Sequence, residues 1–235
     1  MLWERIYNDV KSVDDAACLL KVIADFAVQC GFDYCTYSIS IPALNSKSKF
    51  FLFDNCPPSW GEEYRATNAH ENDPVIRKGM KSNQPVIWSE AVFADAAPLW
   101  QKARQSALNI GISVPCWSAH GVFGMLSFIR REKAISDEEL QVLSTKMQVI
   151  GSLIHLSMYQ LLEVEKNTGM QDVTLTARER EILLWTSEGK TAEIIGAILS
   201  ISTRTVNFHI SNVLAKLMAV NKVQAVMKAR TLGLL

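Results

Sequence analysis

The sequence predicts an α+β fold, an α-β-α sandwich in which an antiparallel sheet is flanked by helices, followed by a smaller all-α domain. The chain has 235 residues, enough for one large domain or two smaller ones. Strand-like and helix-like patterns mix before Ser136, whereas only helical patterns follow residue 175. We therefore expect domains over 1–166 and 175–235, joined by a polar, glycine-containing linker over 167–174.

The first domain carries both kinds of secondary-structure pattern. The spacing of its apolar residues predicts helices over 14–30, 58–67 and 98–107, and strands over 33–41, 49–53, 110–117 and 122–129. Gly31 suits the end of the first helix, and Gly121 suits a hairpin turn between the last two strands. Strands mixed with helices in this way indicate a sheet covered by helices.

One long helix is predicted over 136–166. Ser136 and Glu139 have the spacing of a capping box, in which each side chain bonds the other residue's backbone N–H. The apolar stripe that follows consists of Leu140, Leu143, Met147, Ile150, Ile154 and Leu161. Towards its end the helix has spare apolar surface, and we expect four residues there to form a homodimer interface: Ile154, Met158, Leu161 and Leu162.

The C-terminal segment reads as four short helices. A second capping box, Thr176 to Glu179, opens the first of them, and Gly189 ends it. Further helices are predicted over 191–199, 202–217 and 222–232, with Thr191 and Ser202 as N-caps. Two short helices joined by a tight turn in a basic segment have the layout of a helix-turn-helix.

Composition excludes several classes of protein. Hydrophobic residues make up 49% and charged residues 20% of the chain, which is globular rather than disordered composition. No apolar run is long enough to span a membrane, and the N-terminus lacks a secretory pattern, so we expect a cytoplasmic protein without a membrane partner. The five cysteines include no CxxC pair and the four histidines are scattered, so we expect no disulfide framework, metal site or cofactor.

Charge is divided unequally along the chain. Residues 175–235 contain eight Lys/Arg and four Asp/Glu, a balance of +4. The rest of the chain holds 24 − 8 = 16 basic and 24 − 4 = 20 acidic residues, a balance of −4. A basic helical module beside an acidic domain is typical of a protein whose smaller part binds a polyanion.

The third C-terminal helix has two different faces. Val206, Ile210, Val213 and Leu217 point to one side and are expected to pack in the core. Asn can read adenine and an apolar ring can contact a thymine methyl, while basic residues neutralise phosphates. The candidate DNA-binding residues are Lys190, Thr191, Thr203, Arg204, Asn207, Phe208, Ser211, Asn212 and Lys216.

The C-terminal segment as a whole resembles the LuxR-type DNA-binding domain. The resemblance runs almost without gaps from LTAREREILLWTSEGKT through ILSISTRTVNFHISNVLAKL to NKVQAV. Glu179, Leu183 and Gly189 stand at positions typical of the family, where they cap the helix, pack the core and end the helix. One departure is Ile194, which occupies a position where the family usually has Glu. That change could weaken DNA binding or alter its register.

The N-terminal segment resembles the autoinducer-binding domain of quorum-sensing LuxR regulators. The resemblance rests on Trp60 with Tyr64, Asp73-Pro74, the segment PVIW ending at Trp88, and the segment GVFGMLS at 121–127. It implies a ligand-responsive regulator that binds an N-acyl-homoserine lactone and, as a dimer, a two-fold symmetric operator. RNA polymerase is a further candidate partner.

The resemblance also implies a role for each candidate ligand-binding residue. Asp73 would accept the ligand amide N–H, and the Trp60 indole would donate to the lactone carbonyl. Trp88 would form a wall for the lactone ring, and Tyr64 a wall for the acyl chain. The Ser127 hydroxyl would meet the amide carbonyl. Taken alone, a Trp on a helix is more often a core residue, an Asp before Pro is more often a turn residue or a helix cap, and a Ser on a strand needs no ligand; only the joint pattern favours ligand binding.

Cys56 is the departure that bears most on the ligand. The family usually has Tyr there, in the pattern Asn-Tyr-Pro, and its hydroxyl helps to hold the amide carbonyl; this chain has Asn55-Cys56-Pro57. Cys is smaller and a weak donor, which would cost about 0.5–1.5 kcal/mol of ligand binding and enlarge the pocket. Ala107 and Ser118 also stand where glycine is common.

Other functions remain open from the sequence. An enzyme acting on a lactone with Asp73 or His70 as base lacks a second base, a nucleophile pair or a metal site in the sequence, and leaves the C-terminal module unexplained. A heterodimerising antagonist is supported by Ile194. A regulator that responds to another signal, or to none, is supported by Cys56.

Overall fold

A computed structural model describes residues 2–43, 48–164 and 173–235 of the chain. Their contacts divide the chain into two compact units. The first comprises 2–41, 48–118 and 122–164, and the second is built on 173–235. Residues 165–172, which include most of the expected linker and the end of the expected long helix, lie outside the described part.

The first unit contains six helices and five strands among its described residues. The helices are α1 (Leu2–Lys11), α2 (Ala16–Gln29), α3 (Pro58–Ala66), α4 (Pro74–Gly79), α5 (Ala97–Gln105) and α6 (Asp137–Leu161). The strands are β1 (Tyr34–Ile41), β2 (Lys49–Asp54), β3 (Val86–Ile87), β4 (Ile110–Trp117) and β5 (Phe123–Arg130).

All five strands form one antiparallel sheet in the order β2-β1-β5-β4-β3. The predicted hairpin of β4 and β5 is confirmed, and a short 3₁₀ turn at Ala119–Gly121 joins its strands. In the middle of the sheet Thr36 lies opposite Ser127, and Ser127 lies opposite Ser113. The predicted α+β sandwich is therefore confirmed.

The two faces of the sheet are best distinguished along β1. Cys35, Tyr37 and Ile39 belong to the main hydrophobic core, together with apolar residues of α1, α2 and α6. Thr36 and Ser38, which alternate with them, lie on the opposite face, where α3 and α4 cover the sheet. The period of two along the strand thus separates an apolar layer from a partly polar one.

A buried polar chain ties α6 to the sheet on the core face. The Tyr37 hydroxyl lies 2.6 Å from Nδ1 of His155, and Nε2 of His155 lies 3.1 Å from the Ser118 hydroxyl. A Cβ at Gly124 would lie 2.5 Å from Nδ1 of His155 and 2.8 Å from the Tyr37 hydroxyl oxygen. Gly124 is needed for this close approach, and the Ser118 hydroxyl completes the chain at Nε2 of His155.

The start of α6 confirms one half of the predicted capping box. The Ser136 hydroxyl accepts from the Glu139 backbone N–H at 3.2 Å. The Glu139 carboxylate also binds both terminal nitrogens of Arg130, at 2.7 and 2.8 Å, a contact that the capping-box spacing did not predict. Arg130 is buried, and a buried guanidinium needs a carboxylate partner more than an exposed backbone N–H does.

At the end of α6, two of the four residues predicted for the dimer interface are buried within their own unit. Ile154 and Met158 are buried in the core of their own unit, and Leu161 and Leu162 pack against that core. The apolar residues of α6 that remain exposed are Val142, Val149 and Leu156. They recur every seven residues, about two helical turns, and form a narrow stripe on the outer face of the helix.

Three elements of the first unit were not predicted: α1, the six-residue α4 and the two-residue edge strand β3. The last two are too short to carry a periodic pattern. The backbone at Ala107 has φ of 59°, in the left-handed region. Glycine adopts that conformation without strain, whereas alanine does so at a cost.

The second unit confirms the four predicted C-terminal helices. They are α7 (Ala177–Ser187), α8 (Ala192–Leu199), α9 (Thr203–Lys216) and α10 (Lys222–Thr231). Thr176, Thr191 and Ser202 each cap the helix that follows, and the capping box of Thr176 with Glu179 is complete. The core of the second unit includes Ile182, Leu183, Ile195, Val206, Ile210, Val213 and Leu217.

Within 2–43, 48–164 and 173–235, no helix combines the length and the apolar character that crossing a membrane requires.

Candidate functional site

A small, partly enclosed cavity lies between the polar face of the sheet and helices α3 and α4, with a volume of about 40 Å³. Five of the six predicted ligand-binding residues line it: Trp60, Tyr64, Asp73, Trp88 and Ser127. The remaining lining residues are Thr36, Ser38, Leu52, Val75, Ile76 and Met125. The structure thus brings residues from six separate segments of the chain to one place.

Asp73 is held by two hydrogen bonds within the protein. The Tyr64 hydroxyl donates to Oδ2 at 2.7 Å, and the Val75 backbone N–H donates to Oδ1 at 2.8 Å. The second bond makes Asp73 the N-cap of α4, so its place before Pro74 also has a structural reason. Burial raises the pKa of Asp73, and the hydrogen bonds from Tyr64 and Val75 offset that rise only in part.

A chain of hydrogen bonds crosses the sheet beside Asp73. The Trp88 indole N–H donates to the Ser113 hydroxyl at 2.9 Å, and the hydroxyls of Ser113 and Ser127 are 2.7 Å apart. Gly111 makes room for the Trp88 ring, because a Cβ there would overlap its six-membered ring. Trp88 and Ser127, which the sequence treated as separate contributors, therefore belong to one connected group.

Trp60 lines the cavity, whereas Cys56 does not. Trp60 is buried against Tyr64, with ring centroids 5.7 Å apart, and its indole N–H has no hydrogen-bond acceptor among the described residues. Cys56 is buried in an apolar cluster with Trp60, Ala103 and Leu108, and it does not line the cavity. Burial raises the pKa of its thiol well above the ordinary value, so the thiol stays neutral.

Sequence reasoning missed seven residues around this cavity: Thr36, Ser38, Leu52, Val75, Ile76, Ser113 and Met125. For two of them a signal was available. In the segment TYSIS, Thr36 and Ser38 alternate with apolar residues, which places two hydroxyls on one face of a strand. The apolar residues carried no such signal, because only the fold separates a cavity wall from a core.

Helix α9 presents the predicted DNA-facing surface. Val206, Ile210 and Val213 are buried, as expected from the helical wheel. On the other face Arg204, Asn207, Ser211 and Ala215 are exposed, and the Phe208 side chain is 62% exposed. The Phe208 ring contacts the neighbouring His209 ring edge-on, with centroids 5.6 Å apart, and is otherwise open to solvent.

The other candidate DNA-binding residues differ in exposure. Lys190 and Thr191 are exposed, and the Thr191 hydroxyl caps α8. Thr203 and Asn212 are half-buried. The departure at Ile194 lies on α8 and leaves an apolar side chain exposed.

Lys216 has a partner within its own unit. Its Nζ lies 2.6 Å from Oε2 of Glu179, the carboxylate that also accepts the Thr176 backbone N–H. Burial acts to raise the pKa of Glu179, but the hydrogen bonds from Lys216 and Thr176 outweigh it, and the pKa lies below its ordinary value. Lys216 therefore joins α9 to α7, a role that the sequence did not indicate.

Comparison with known proteins decides the family. An autoinducer-binding-domain model matches residues 15–158, and a model of bacterial regulatory proteins of the luxR family matches residues 173–229. The chain belongs to the LuxR family of bacterial transcriptional regulators.

Its relatives within the LuxR family match over nearly the whole chain. The transcriptional activator SolR of Ralstonia nicotianae is 44% identical over 233 residues, covering 99% of this chain and 98% of SolR. The quorum-sensing regulator RhlR of Pseudomonas aeruginosa is 32% identical, covering 99% and 96%. The crystal structure of Escherichia coli SdiA superposes with a TM-score of 0.72 at 32% identity, covering 99% and 97%.

These relatives are transcription regulators, and this LuxR-family chain is likewise a quorum-sensing type regulator and not an enzyme. The autoinducer-binding family model indicates that its N-terminal domain takes a small-molecule ligand, and the helix-turn-helix model indicates that its C-terminal domain binds DNA.

Proposed function

We propose that this LuxR-family regulator binds an N-acyl-homoserine lactone in the cavity between the sheet and helices α3 and α4. We further propose that it acts in the cytoplasm as a homodimer on a two-fold symmetric operator. The observation that carries the ligand proposal is the joint presence of Asp73, Trp60 and Ser127 around one partly enclosed cavity. An acyl-homoserine lactone has one amide N–H, two carbonyls and an apolar chain, so it needs few polar partners and much apolar wall.

The hydrogen-bonding groups that remain free around the cavity support this assignment. Both oxygens of Asp73 accept hydrogen bonds from the protein, and the carboxylate keeps lone-pair capacity for the ligand amide N–H. When Ser113 donates to Ser127, the Ser127 O–H is free to donate to the amide carbonyl. The indole N–H of Trp60 can donate to the lactone carbonyl. Tyr64 has a second role beyond that of an acyl-chain wall, because its hydroxyl fixes the Asp73 carboxylate.

The cavity volume of about 40 Å³ is far below the roughly 300–1,000 Å³ of ordinary ligand pockets. An acyl chain therefore enters only if the apolar wall of Leu52, Val75, Ile76 and Met125 moves apart. The ligand then replaces contacts between the wall residues with contacts to itself. Because it binds the folded domain and not the unfolded chain, it must raise the melting temperature.

Expression and thermal unfolding with a panel of acyl-homoserine lactones test the ligand proposal. We expect at least one lactone to raise both the soluble yield and the melting temperature in a concentration-dependent way. The panel includes octanoyl-rac-glycerol, because a solved SdiA structure with a TM-score of 0.72 and 33% identity contains that molecule. Stabilisation by the acylglycerol alone, or by neither class, would contradict the lactone proposal and favour a regulator that responds to another signal or to none.

A conservative change at Trp60 tests the head-group contact. Trp60→Phe keeps an aromatic ring but removes the N–H, so lactone affinity should fall by about three- to tenfold, the value of one hydrogen bond. Trp117→Phe is the matched control, since Trp117 is exposed and lies outside the cavity. Equal effects of the two changes on the lactone Kd would exclude the assignment.

The exposed stripe of Val142, Val149 and Leu156 supports a dimer formed through α6. A two-fold symmetric operator matches a two-fold symmetric protein, which buries the same patch on both copies. We expect Val149→Glu to convert the lactone-bound dimer to a monomer by light scattering. Val28→Glu, an equally exposed valine on α2, should leave the dimer intact. A Val149→Glu protein that remains dimeric would exclude this face.

Direct DNA binding separates the activator from the antagonist alternative. A purified homodimer that binds symmetric operator DNA more tightly than random DNA supports an autonomous regulator, with RNA polymerase as its downstream partner. A homodimer without preference for any symmetric site would favour a heterodimerising antagonist, in which the exposed Ile194 replaces a DNA contact.

A further inference from the structure

An open groove lies directly outside the ligand cavity, beside the edge strand β2. It has a volume of about 320 Å³, and its lining includes Phe50 of β2, Arg65 of α3 and His70 in the single 3₁₀ turn that follows α3. Leu52 lines both the groove and the cavity, so the groove reaches the cavity wall at this side chain. Because the cavity is too small for a lactone, a ligand must displace part of that wall to enter.

Two contacts beside the groove hold α3 and the turn after it against β2. Nη1 of Arg65 lies 2.7 Å from Oδ2 of Asp54, and the arginine side chain is half exposed whereas the carboxylate is buried. The His70 ring stacks on the Phe50 ring, with centroids 3.9 Å apart and an angle of 4° between the planes. Loss of both contacts would free this part of the chain from the edge of the sheet.

Helix α3 has a separate attachment to α5. Glu63 forms an ion pair with Lys102, and neither residue lines the groove or the cavity. Trp60 and Tyr64, on the same helix, form part of the cavity wall. Opening at β2 alone therefore widens the cavity towards the groove while the ion pair to α5 stays formed. A partly exposed ion pair and one ring stack are weak contacts, so they open more readily than the buried core on the other face of the sheet.

We infer that these contacts form a gate: the ligand enters and leaves the cavity past Leu52, through the groove, when Arg65 separates from Asp54 and His70 from Phe50. The inference rests on the proposed lactone function and adds the route of the ligand. The gate is closed in both the free and the bound protein. Breaking one of its contacts therefore speeds entry and exit equally and leaves the affinity unchanged.

Binding kinetics of the full chain test the gate, with the lactone that stabilises the protein most as the probe. Tryptophan fluorescence follows association, since Trp60 and Trp88 line the cavity. Exchange of bound lactone for an excess of isotopically labelled lactone gives the dissociation rate. We expect Arg65→Met to raise both rate constants about twofold to fivefold, with an unchanged Kd. Phe50→Leu should act in the same direction, because it removes the stack on His70.

Two further variants control for the loss of an ion pair as such. Lys102→Met removes the other ion pair of α3, away from the groove, and should keep the wild-type rates. Arg65→Lys restores the charge and should return the rates towards those of the wild type. The exchange measurement starts from lactone-loaded protein, so it also serves a variant that folds only with ligand.

Ionic strength gives an independent readout. An acyl-homoserine lactone is uncharged, so salt does not change its electrostatic steering towards the protein. Salt does screen the pair of Arg65 with Asp54. Exchange should therefore become faster at high salt in the wild type but not in Arg65→Met, which also controls for the effect of salt on the lactone.

The outcomes separate the gate from the proposed function. Wild-type rates in Arg65→Met, or an equal acceleration by Lys102→Met, overturn the gate and leave lactone binding intact. Faster dissociation with unchanged association also overturns it, because Arg65 would then support only the bound state. Absence of binding by any lactone overturns the proposed function itself, and the inference with it.

Discussion

The ligand cavity and the outer face of α9 both hold the side chains that recognise another molecule, but they hold them in opposite ways. Around the cavity the polar groups are buried or half-buried, and most already bond to protein: Asp73 to Tyr64 and Val75, and Ser127 to Ser113. On α9 the side chains of Asn207 and Phe208 are exposed. In the absence of another molecule, both side chains contact water.

This difference predicts how recognition couples to folding. A polar group inside the cavity serves the fold and the ligand together, because removing it leaves a buried partner unsatisfied. A polar group on the exposed face of α9 can be removed with little effect on the free energy of unfolding. Ligand binding should therefore stabilise the first unit, whereas contacts on α9 can be tuned independently of stability.

The largest effect is expected at Asp73. Asp73→Ala removes the N-cap of α4 and leaves the buried Tyr64 hydroxyl without its acceptor, for a loss of about 2–4 kcal/mol in the free energy of unfolding. The lactone-induced rise in melting temperature should disappear as well. Asp73→Asn is the control: it keeps a cap and an acceptor, so it should retain most of the stability while weakening the lactone. An Asp73→Ala protein of wild-type stability would show that the cavity is not coupled to the fold.

Acid pH should weaken the first unit through His155. Burial lowers the pKa of His155 to about 4, below the ordinary value of 6.5. Between these two pH values the unfolded chain binds the proton and the folded domain does not, so stability present above pH 6.5 is lost as the pH falls toward 4. The expected loss is roughly 3 kcal/mol.

Denaturant unfolding as a function of pH measures this loss. His155→Gln cannot titrate, so its stability should fall less than that of the wild type over the same interval, with the carboxylates as a common background. Parallel pH profiles of the two proteins would contradict the burial of a neutral imidazole between Tyr37 and Ser118.

On α9 the expected effect lies in DNA binding and not in stability. Asn207→Ala should weaken binding to the specific operator by about 1–3 kcal/mol, with little change on random DNA. Its free energy of unfolding should stay within about 0.5 kcal/mol of wild type, because the residue is exposed. Equal losses on both DNAs would reassign Asn207 to a backbone contact.

The smallest effect is expected at Lys216, which was predicted to bind DNA but is paired with Glu179 within its own unit. Lys216→Met removes the partner of the buried Glu179 carboxylate and should cost the second unit about 1–2 kcal/mol, discounted because the lysine is partly exposed. The salt dependence of DNA binding should not change, since Glu179 already neutralises this charge. Lys222→Met, at an exposed lysine, controls for net charge. A salt slope that falls by about one would instead make Lys216 a phosphate contact.

Local patterns in the sequence were enough to predict most of the helices and strands. The strand over 110–117 and the caps Thr176, Thr191 and Ser202 are as predicted, because a two-residue period and a hydroxyl before an apolar run are local signals. The ion pair of Glu139 with Arg130 was not predicted. Arg130 lies on the neighbouring strand β5, and the spacing of a capping box does not reveal a partner on another element.

The sequence by itself determined the family, the sandwich and helix-turn-helix layout, and the residue types that a lactone and a DNA groove need. Only the tertiary structure decided which polar groups already have partners. It joined Trp88 to Ser127 through Ser113, paired Lys216 with Glu179, and tied Arg65 to Asp54. The physical reason is that a hydrogen bond or a cavity depends on residues distant in the chain, and their approach is set by strand register and helix packing.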